Sequence, residues 1–297
     1  MNFQWYPGHM TKAKRMMQED IKLINLVIEL LDARAPLSSR NPDIDELAEG
    51  KARLVLLNKT DLADERLTQR WFDYFIRQGL HVCKVNCKNS ADMKQINAVV
   101  RKACADKIER DRKRGIRNRP VRAMVVGIPN VGKSTFINTY VRRAAAKTGN
   151  RPGVTKGKQW IRLGNSIELL DTPGILWPKF EDQSVGLKLA MIGSIRDEIM
   201  DTEKLALELI RLLNERYPDA LNDYYKPENA DISAFLEQSR TIGATPGEDV
   251  IMLAKISGVR GCLKAGGELD LLRGANLLLE NFRNGRIGRF TLEEPEK

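Results

Sequence analysis

The chain has 297 residues, with 49 lysines and arginines against 39 aspartates and glutamates, which gives a net charge of +10. This length allows one or two domains with buried cores, and the basic excess favours a polyanionic partner such as RNA, DNA or an anionic membrane surface. Because no apolar run is long enough to span a membrane or to form a signal-peptide core, we expect a cytoplasmic protein. The four cysteines lack the spacing of a zinc site, so we expect reduced, buried thiols.

The first elements in chain order are a helix and a strand. Residues 3–10 are rich in aromatic side chains and include His9, and Thr11 is suited to cap a basic helix that extends to about Ile24. The apolar run Leu26–Leu31 then predicts a buried strand. This strand ends at the sequence Asp-Ala-Arg-Ala-Pro, residues 32–36.

The next apolar run, Leu54–Leu57, ends in the tetrapeptide Asn58-Lys59-Thr60-Asp61. Asn-Lys-x-Asp at the end of a strand is typical of guanine recognition, because the Asp61 carboxylate accepts hydrogen bonds from the ring N–H and the exocyclic amino group. Adenine has no amino group at that position, so the buried carboxylate would be left unpaired. Asn58 can bridge the base and a phosphate loop, and the Lys59 stem can lie against the base. Taken alone, four residues are a weak signal, and a solvated turn is the alternative.

A further strand is predicted over His81–Val85, and a loop follows it. In guanine-binding proteins a backbone N–H of this loop, usually within Ser-Ala-Lys, contacts the base oxygen. Asn86, Cys87 and Lys88 occupy this place, and a backbone contact tolerates their different side chains. We expect Ser90 to cap a helix that extends to about Ile108. Basic residues then crowd together up to position 122, either as a solvated linker or as a nucleic-acid contact.

A phosphate loop follows the predicted strand Val121–Val126. It consists of Gly127, Ile128, Pro129, Asn130, Val131, Gly132, Lys133 and Ser134, and a helix begins at about Thr135. Strand, glycine-rich loop and helix start are the context in which backbone N–H groups bind phosphates, and the whole pattern disfavours an ordinary turn. Lys133 would reach the β and γ phosphates and assist catalysis, and Ser134 would bind Mg²⁺. Together with this loop, Asn58–Asp61 indicates that the nucleotide is GTP.

The segment after the phosphate loop is basic and contains Thr155. We expect Thr155 to bind Mg²⁺ only when the γ phosphate is present, although most single threonines in loops have no such role. Residues 159–163 and 167–170 predict a hairpin. It ends at Asp171, which would hold the water shell of Mg²⁺, and at Gly174, whose N–H would face the γ phosphate.

The order of these motifs is not that of an ordinary GTPase, in which the phosphate loop comes first. Here Asn58–Asp61 precedes Gly127–Ser134, which requires a circularly permuted chain. With Trp-Tyr-Pro-Gly-His-Met at residues 5–10 and the sequence at 32–36, this order closely resembles the circularly permuted ribosome biogenesis GTPases of the YlqF/YawG type.

The predicted fold is therefore α/β: a circularly permuted P-loop GTPase domain followed by a small all-helical domain. The first domain would contain a mostly parallel sheet with helices on both faces. We place the GTPase domain at 1–182, a linker at 183–200 and the helical domain at 201–290, where apolar residues recur at helical spacing.

The resemblance implies a GTPase, stimulated by the large ribosomal subunit, that acts in the late assembly of this subunit and binds ribosomal RNA as a monomer, without DNA or membrane. In the helical region, the residues expected to contact RNA phosphates are Lys255, Arg260, Lys264, Arg273, Arg283, Arg286 and Arg289. A solvated basic helix is the alternative.

The catalytic glutamine of regulatory GTPases is replaced here by Ile175, which cannot orient water. The resemblance implies that His9 takes part in catalysis, with a packing role as the alternative. It also implies that Asn130 helps to hold K⁺ beside the phosphates.

Two other functions are alternatives. One is a nucleotide-gated RNA-binding switch whose hydrolysis is incidental. The other is a metabolic kinase, against which the guanine motif and the lack of a small-substrate constellation argue.

Overall fold

The computed structural model describes residues 15, 17–116, 119–148, 160–163, 167–171, 182–195, 201–241 and 245–296. The chain divides into two compact units, Met1–Gly186 with Glu293–Lys297, here called the sheet unit, and Leu187–Leu292, here called the helical unit.

The sheet unit is built on a six-stranded sheet with the strand order β3-β2-β1-β4-β6-β5. Strands β1 to β4 and β6 run parallel, and β5 pairs with β6 in the antiparallel direction. The strands are β1 (Leu26–Asp32), β2 (Ala52–Asn58), β3 (His81–Lys84), β4 (Val121–Val126), β5 (Trp160–Leu163) and β6 (Ile167–Asp171). The predicted hairpin and mostly parallel sheet are therefore present.

Helices cover both faces of this sheet. All seven residues of β1 are buried, as expected for a strand packed on two sides. On one face Leu31 and Leu57 pack against Trp71 and Phe75. The helices of this unit are α1 (Asp43–Leu47), α2 (Glu65–Arg77), α3 (Met93–Ala103), α4 (Ala105–Lys113) and α5 (Lys133–Thr148), with a 3₁₀ turn at Ile21–Leu23.

The helix expected from Ser90 to Ile108 is instead two helices. The first begins at Met93 after Asp92, and the break falls at Cys104, which lies between α3 and α4. The Asp92 carboxylate accepts a 2.8 Å hydrogen bond from the Asn86 N–H, which ties the start of α3 to the preceding loop. All four cysteines are free and buried, as predicted.

The helical unit is held together by three helices that pack against one another: α7 (Thr202–Arg216), α10 (Glu248–Val259) and α11 (Leu271–Arg283). A Cβ atom on Gly274 of α11 would lie 1.9 Å from the Ser257 Oγ of α10, so glycine permits this close approach. The helices from residue 183 onward are α6 (Gln183–Met191), α7 (Thr202–Arg216), α8 (Ala220–Tyr225), α9 (Ser233–Thr241), α10 (Glu248–Val259) and α11 (Leu271–Arg283), with a 3₁₀ turn at Pro227–Asn229.

The observed boundaries differ from the predicted ones in three places. The segment expected to be a linker is helical over Gln183–Met191, and the boundary between the units falls inside this helix. Helix α8 was not predicted. The residues after Leu292 belong to the sheet unit, because Glu293 is buried against its loops.

No helix within the described part of the chain is both long and apolar enough to cross a membrane.

Candidate nucleotide-binding site

The predicted nucleotide motifs lie at one edge of the sheet. Parallel strands β1, β2 and β4 end at Asp32, Asn58 and Val126, and the loops that follow them emerge on the same side. Ligands of open α/β sheets bind at this carboxyl edge. Motifs far apart in the sequence are therefore brought together.

Asn58 connects the loops that follow β2, β3 and β4. Its Nδ2 donates a 2.7 Å hydrogen bond to the Val131 carbonyl in the phosphate loop, Gly127–Ser134. Its Oδ1 accepts a 2.9 Å hydrogen bond from the Cys87 N–H. Asn58 is 3% exposed, so both bonds are shielded from water. The predicted contact between Asn58 and the phosphate loop is therefore present, and its contact with a base stays a prediction.

Lys59 crosses from the guanine loop, Asn58–Asp61, to the phosphate loop. Its Nζ donates a 2.8 Å hydrogen bond to the Asn130 carbonyl and lies 2.8 Å from Asp32 Oδ2. The backbone of Lys59 has φ = 61°, an unfavourable value for a residue with a Cβ. The two contacts of the ammonium group help to hold this conformation.

Asp32 is a buried anion beside the Lys59 ammonium. Arg34 binds it through two side-chain nitrogens, at 2.9 Å and 2.8 Å. Burial alone would raise the pKa of Asp32, but the cations of Arg34 and Lys59 outweigh burial and hold that pKa well below its usual range. Asp32 therefore stays ionised and fixes the position of the Lys59 ammonium.

The phosphate loop requires glycine at two positions. Gly127 has φ = 154°, and a Cβ atom there would lie 2.8 Å from the Leu30 carbonyl oxygen. Gly132 has φ = 105°, and a Cβ atom there would lie 2.4 Å from Asn58 Nδ2. Helix α5 begins directly after Gly132 and directs its N-terminal N–H groups at the loop. This backbone fits the phosphates of a nucleotide.

Lys133 is buried and folded over the loop. Its Nζ donates hydrogen bonds to the carbonyls of Gly127, at 3.0 Å, and Ile128, at 2.9 Å. Ser134 and Thr135 follow in the first turn of α5 with exposed side chains. These positions suit the predicted roles of Lys133 on phosphate and Ser134 on Mg²⁺.

The loop 86–88 lies beside the guanine loop. Burial is the main cause that raises the pKa of the Cys87 thiol to about 12, with further contributions from Asp92 and Asp61. Cys87 is thus a neutral packing residue whose backbone N–H is held by Asn58. Lys88 donates its N–H to Asn86 Oδ1 at 2.9 Å, which forms a compact turn.

Curated relatives align over the whole chain. Ribosome biogenesis GTPase A of Priestia megaterium is 45% identical over 100% of this chain and 98% of its own length. The protein of the same name from Thermotoga maritima is 32% identical over 98% of this chain and 94% of its own length. The chain belongs to the ribosome biogenesis GTPase A family. The predicted family is therefore confirmed.

Solved structures of this family share the fold. A crystal structure of GNP-bound YlqF from T. maritima is 30% identical, with a TM-score of 0.60 over 96% of this chain and 99% of the other. A GDP-bound YlqF structure is 26% identical, with a TM-score of 0.62 over 95% and 100%. The predicted fold class, a circularly permuted P-loop GTPase domain with a helical domain, is confirmed.

A family model described as "50S ribosome-binding GTPase" matches residues 122–243. The match begins in β4, directly before the phosphate loop, and leaves Asn58–Asp61 outside. This limit agrees with the permuted order of motifs in this chain.

Several predicted site residues lie outside the described part of the chain. They are His9, Thr155 and Gly174. The backbone of β6 ends at Asp171 on the same edge as the phosphate loop, since β4 and β6 are parallel. Among the described residues no cluster of three acidic, histidine or cysteine side chains forms a metal site. The assignments of Thr155, Asp171, Ser134 and Asn130 to metal ions stay predictions.

Sequence reasoning assigned no role to three residues that organise the site. Asp32 and Arg34 belong to the Asp-Ala-Arg-Ala-Pro sequence at residues 32–36, whose part in the family resemblance was the available signal. Glu293 binds the loop after β1 from a distant part of the chain, and no local pattern indicates this contact.

Part of the basic surface predicted for the helical unit is used inside that unit. Arg283 donates to the Met191 and Ala190 carbonyls at 3.1 Å and 2.8 Å. Arg260 lies over the rings of Tyr224 and Tyr225, and Arg286 lies 3.3 Å from a Glu280 carboxylate oxygen. The exposed basic side chains include Lys264, Arg273 and Arg289.

Proposed function

We propose that this protein binds GTP with Mg²⁺, hydrolyses it during late assembly of the large ribosomal subunit, and leaves the particle after hydrolysis. The observation that carries the proposal is the position of Asn58. It joins the guanine loop to the phosphate loop and to the Cys87 backbone, and so assembles one nucleotide site from motifs in permuted order.

The chain's own residues have distinct roles in this proposal. Asp61 selects guanine, Lys59 supports the base, and the phosphate-loop backbone with Lys133 binds the phosphates. Ser134, Thr155 and Asp171 would hold Mg²⁺, which supplies charge neutralisation at the phosphates. Asn130 would contribute to a K⁺ site, and His9 would orient the attacking water.

Ribosomal RNA is the proposed partner, and the large ribosomal subunit is the proposed stimulator of turnover. The net charge of +10 favours contact with an RNA backbone, and exposed Lys264, Arg273 and Arg289 are available for it. Binding through phosphates should weaken steeply as salt is raised, since counterions are released. A monomer that acts in the cytoplasm, without DNA or membrane, completes the proposal.

GTP turnover with and without purified large ribosomal subunits tests the proposal. We expect slow turnover alone and clear stimulation by the subunits, with small ribosomal subunits as the control. A non-hydrolysable GTP analogue should keep the protein on the particle. If release is equally fast with GTP and with the analogue, hydrolysis has no role in release, and the protein is instead a nucleotide-gated RNA-binding switch.

A further inference from the structure

Glu293 is a buried carboxylate that the nucleotide motifs do not account for. It is 6% exposed and lies against the loop Ala33–Ser39, which follows β1. One carboxylate oxygen accepts hydrogen bonds from the Leu37 N–H and the Ser38 N–H, and the bond from Ser38 is 3.0 Å long. The other oxygen accepts a 2.6 Å hydrogen bond from Ser38 Oγ. Three donors from one short loop thus converge on one anion.

The backbone around Glu293 is anchored separately from its side chain. Trp71 of α2 is 1% exposed, and its Nε1 donates a 3.1 Å hydrogen bond to the Glu293 carbonyl. The neighbouring Glu294 lies 2.7 Å from Arg70, and both of these side chains are largely exposed. The buried contact fixes Glu293, whereas the exposed pair adds little stability.

The loop that Glu293 holds also holds Asp32. The Asp32 N–H donates a 3.0 Å hydrogen bond to Ser39 Oγ, which donates in turn to the Pro36 carbonyl at 3.2 Å. The Ala33 N–H donates to the Asn58 carbonyl at 2.8 Å. The path from Ser38 to the guanine loop is therefore continuous, and it ends at the 2.8 Å contact between Asp32 and Lys59.

We propose that Glu293 is a positioning residue for guanine-nucleotide binding: it clamps the Ala33–Ser39 loop and thereby fixes Asp32 and Lys59. The inference rests on the proposed binding of guanine at Asn58–Asp61. Without the carboxylate, the Ser38 N–H and hydroxyl lose their acceptor in a buried setting, which is costly enough to rearrange the loop. Lys59 then loses its fixed partner, and the nucleotide is released faster.

The test measures release of GDP that carries a fluorescent ribose group. For Glu293→Ala we expect release about tenfold faster, because bonds to a charged acceptor are lost. For Glu293→Gln we expect release about twofold to threefold faster, since the amide oxygen still accepts hydrogen bonds from the loop N–H groups. Glu294→Ala is the matched control and should change release by less than about twofold, because the Glu294 side chain is exposed and its ion pair with Arg70 is a surface pair.

Two further variants separate positioning from loss of folding. Ser38→Ala removes only the hydroxyl contact and should speed release by about threefold with an unchanged melting temperature. If Glu293 acts through Asp32, the Asp32→Asn/Glu293→Ala double variant should release GDP no faster than Asp32→Asn alone. Additive effects in the double variant would overturn the inference.

The failure of this inference is distinguishable from failure of the proposed function. If the unsubstituted protein binds fluorescent GDP but folded Glu293→Gln and Ser38→Ala both release it at the unsubstituted rate, the inference alone is overturned. If the unsubstituted protein binds no guanine nucleotide, both are overturned.

Discussion

The Asp32 carboxylate lies 2.8 Å from the Lys59 ammonium and is fully buried between that group and Arg34. This anion fixes the position of the Lys59 ammonium in the guanine loop, and it lies at the end of the central strand β1. Because burial alone would favour the neutral acid, the charge of Asp32 in the folded protein depends on these two cations.

Asp32→Asn is expected to lower the free energy of unfolding by about 3 kcal/mol at neutral pH, because it leaves the buried Arg34 guanidinium and the partly exposed Lys59 ammonium without their partner. The folded-state pKa of Asp32 lies below its unfolded value. The stabilisation is therefore fully present above the unfolded pKa of about 4 and is lost as pH falls below it.

Urea denaturation of the unsubstituted protein and of Asp32→Asn, between pH 7 and acid conditions, measures this dependence. The difference between their free energies of unfolding should shrink as pH falls. Burial raises the pKa of Glu29, so this residue makes stability change with pH in the opposite direction. This effect is common to both proteins and cancels in the difference between them. A difference that stays constant with pH would contradict the assignment.

Gly132→Ala is expected to abolish most nucleotide affinity. The added Cβ would lie 2.4 Å from Asn58 Nδ2, in addition to the strain of φ = 105°. Gly50→Ala is a matched control, because its φ is +70° and nothing lies within 4 Å of the added Cβ. Gly50→Ala should lose about 1 kcal/mol of stability from backbone strain alone, and Gly132→Ala should lose more because the clash with Asn58 adds to its strain. Isothermal titration with GDP should show that Gly132→Ala loses binding and that Gly50→Ala keeps it. An equal loss of GDP binding in both variants would contradict the argument.

Asp61→Asn is expected to weaken GDP binding by about 100-fold or more, because an amide cannot accept from both guanine N–H donors. Its NH₂ group should instead favour xanthosine diphosphate, whose base has a carbonyl at that position. Asp73→Asn, on the exposed face of α2, is the control and should bind GDP normally. Competition between the two diphosphates measures the preference, and an Asp61→Asn variant that still prefers GDP would exclude Asp61 from base selection.

His9→Ala is expected to lower GTP turnover on large ribosomal subunits by about 100-fold, the range of a single acid–base group, with little change in GTP affinity. The chain has two histidines, which makes His81→Ala a natural control. Turnover at saturating GTP is the measurement. Equal turnover of His9→Ala and the unsubstituted protein would leave His9 with a packing role.

Replacement of KCl by NaCl at equal ionic strength is expected to slow GTP turnover if Asn130 helps to hold K⁺. Asn130 has φ = 59°, a conformation that asparagine tolerates better than most residues. Asn130→Asp keeps this tolerance and alters the side chain, so it should change the dependence on K⁺ while the fold persists. Turnover that is indifferent to the cation would remove K⁺ from the proposal.

The nucleotide motifs were predictable because each one is a short local pattern at the end of a strand. Asn58, Gly132 and Lys133 lie where the pattern requires, since the chemistry of guanine and phosphate limits which residues can serve. The start of α3 was harder to predict, because Asp92 precedes the helix without a side-chain cap and its carboxylate instead accepts a hydrogen bond from the Asn86 N–H.

The least predictable feature was the return of the chain to the sheet unit. Helical periodicity correctly indicated most helices after residue 200, but it carries no information about where Glu293 binds. Its partners Ser38 and Trp71 are fixed by the folded structure alone.

Because the chain leaves the sheet unit after Gly186 and re-enters it at Glu293, the helical unit is an insertion rather than an appendage. A truncation that ends at Gly186 would remove the partner of the Trp71 indole as well as the helices. The sheet unit and the helical unit are thus not separable by a single cut. A sheet unit produced without the helical unit would need a linker that joins Gly186 to Glu293–Lys297. Loss of nucleotide binding after a simple C-terminal deletion would therefore not by itself show that the helices bind the nucleotide.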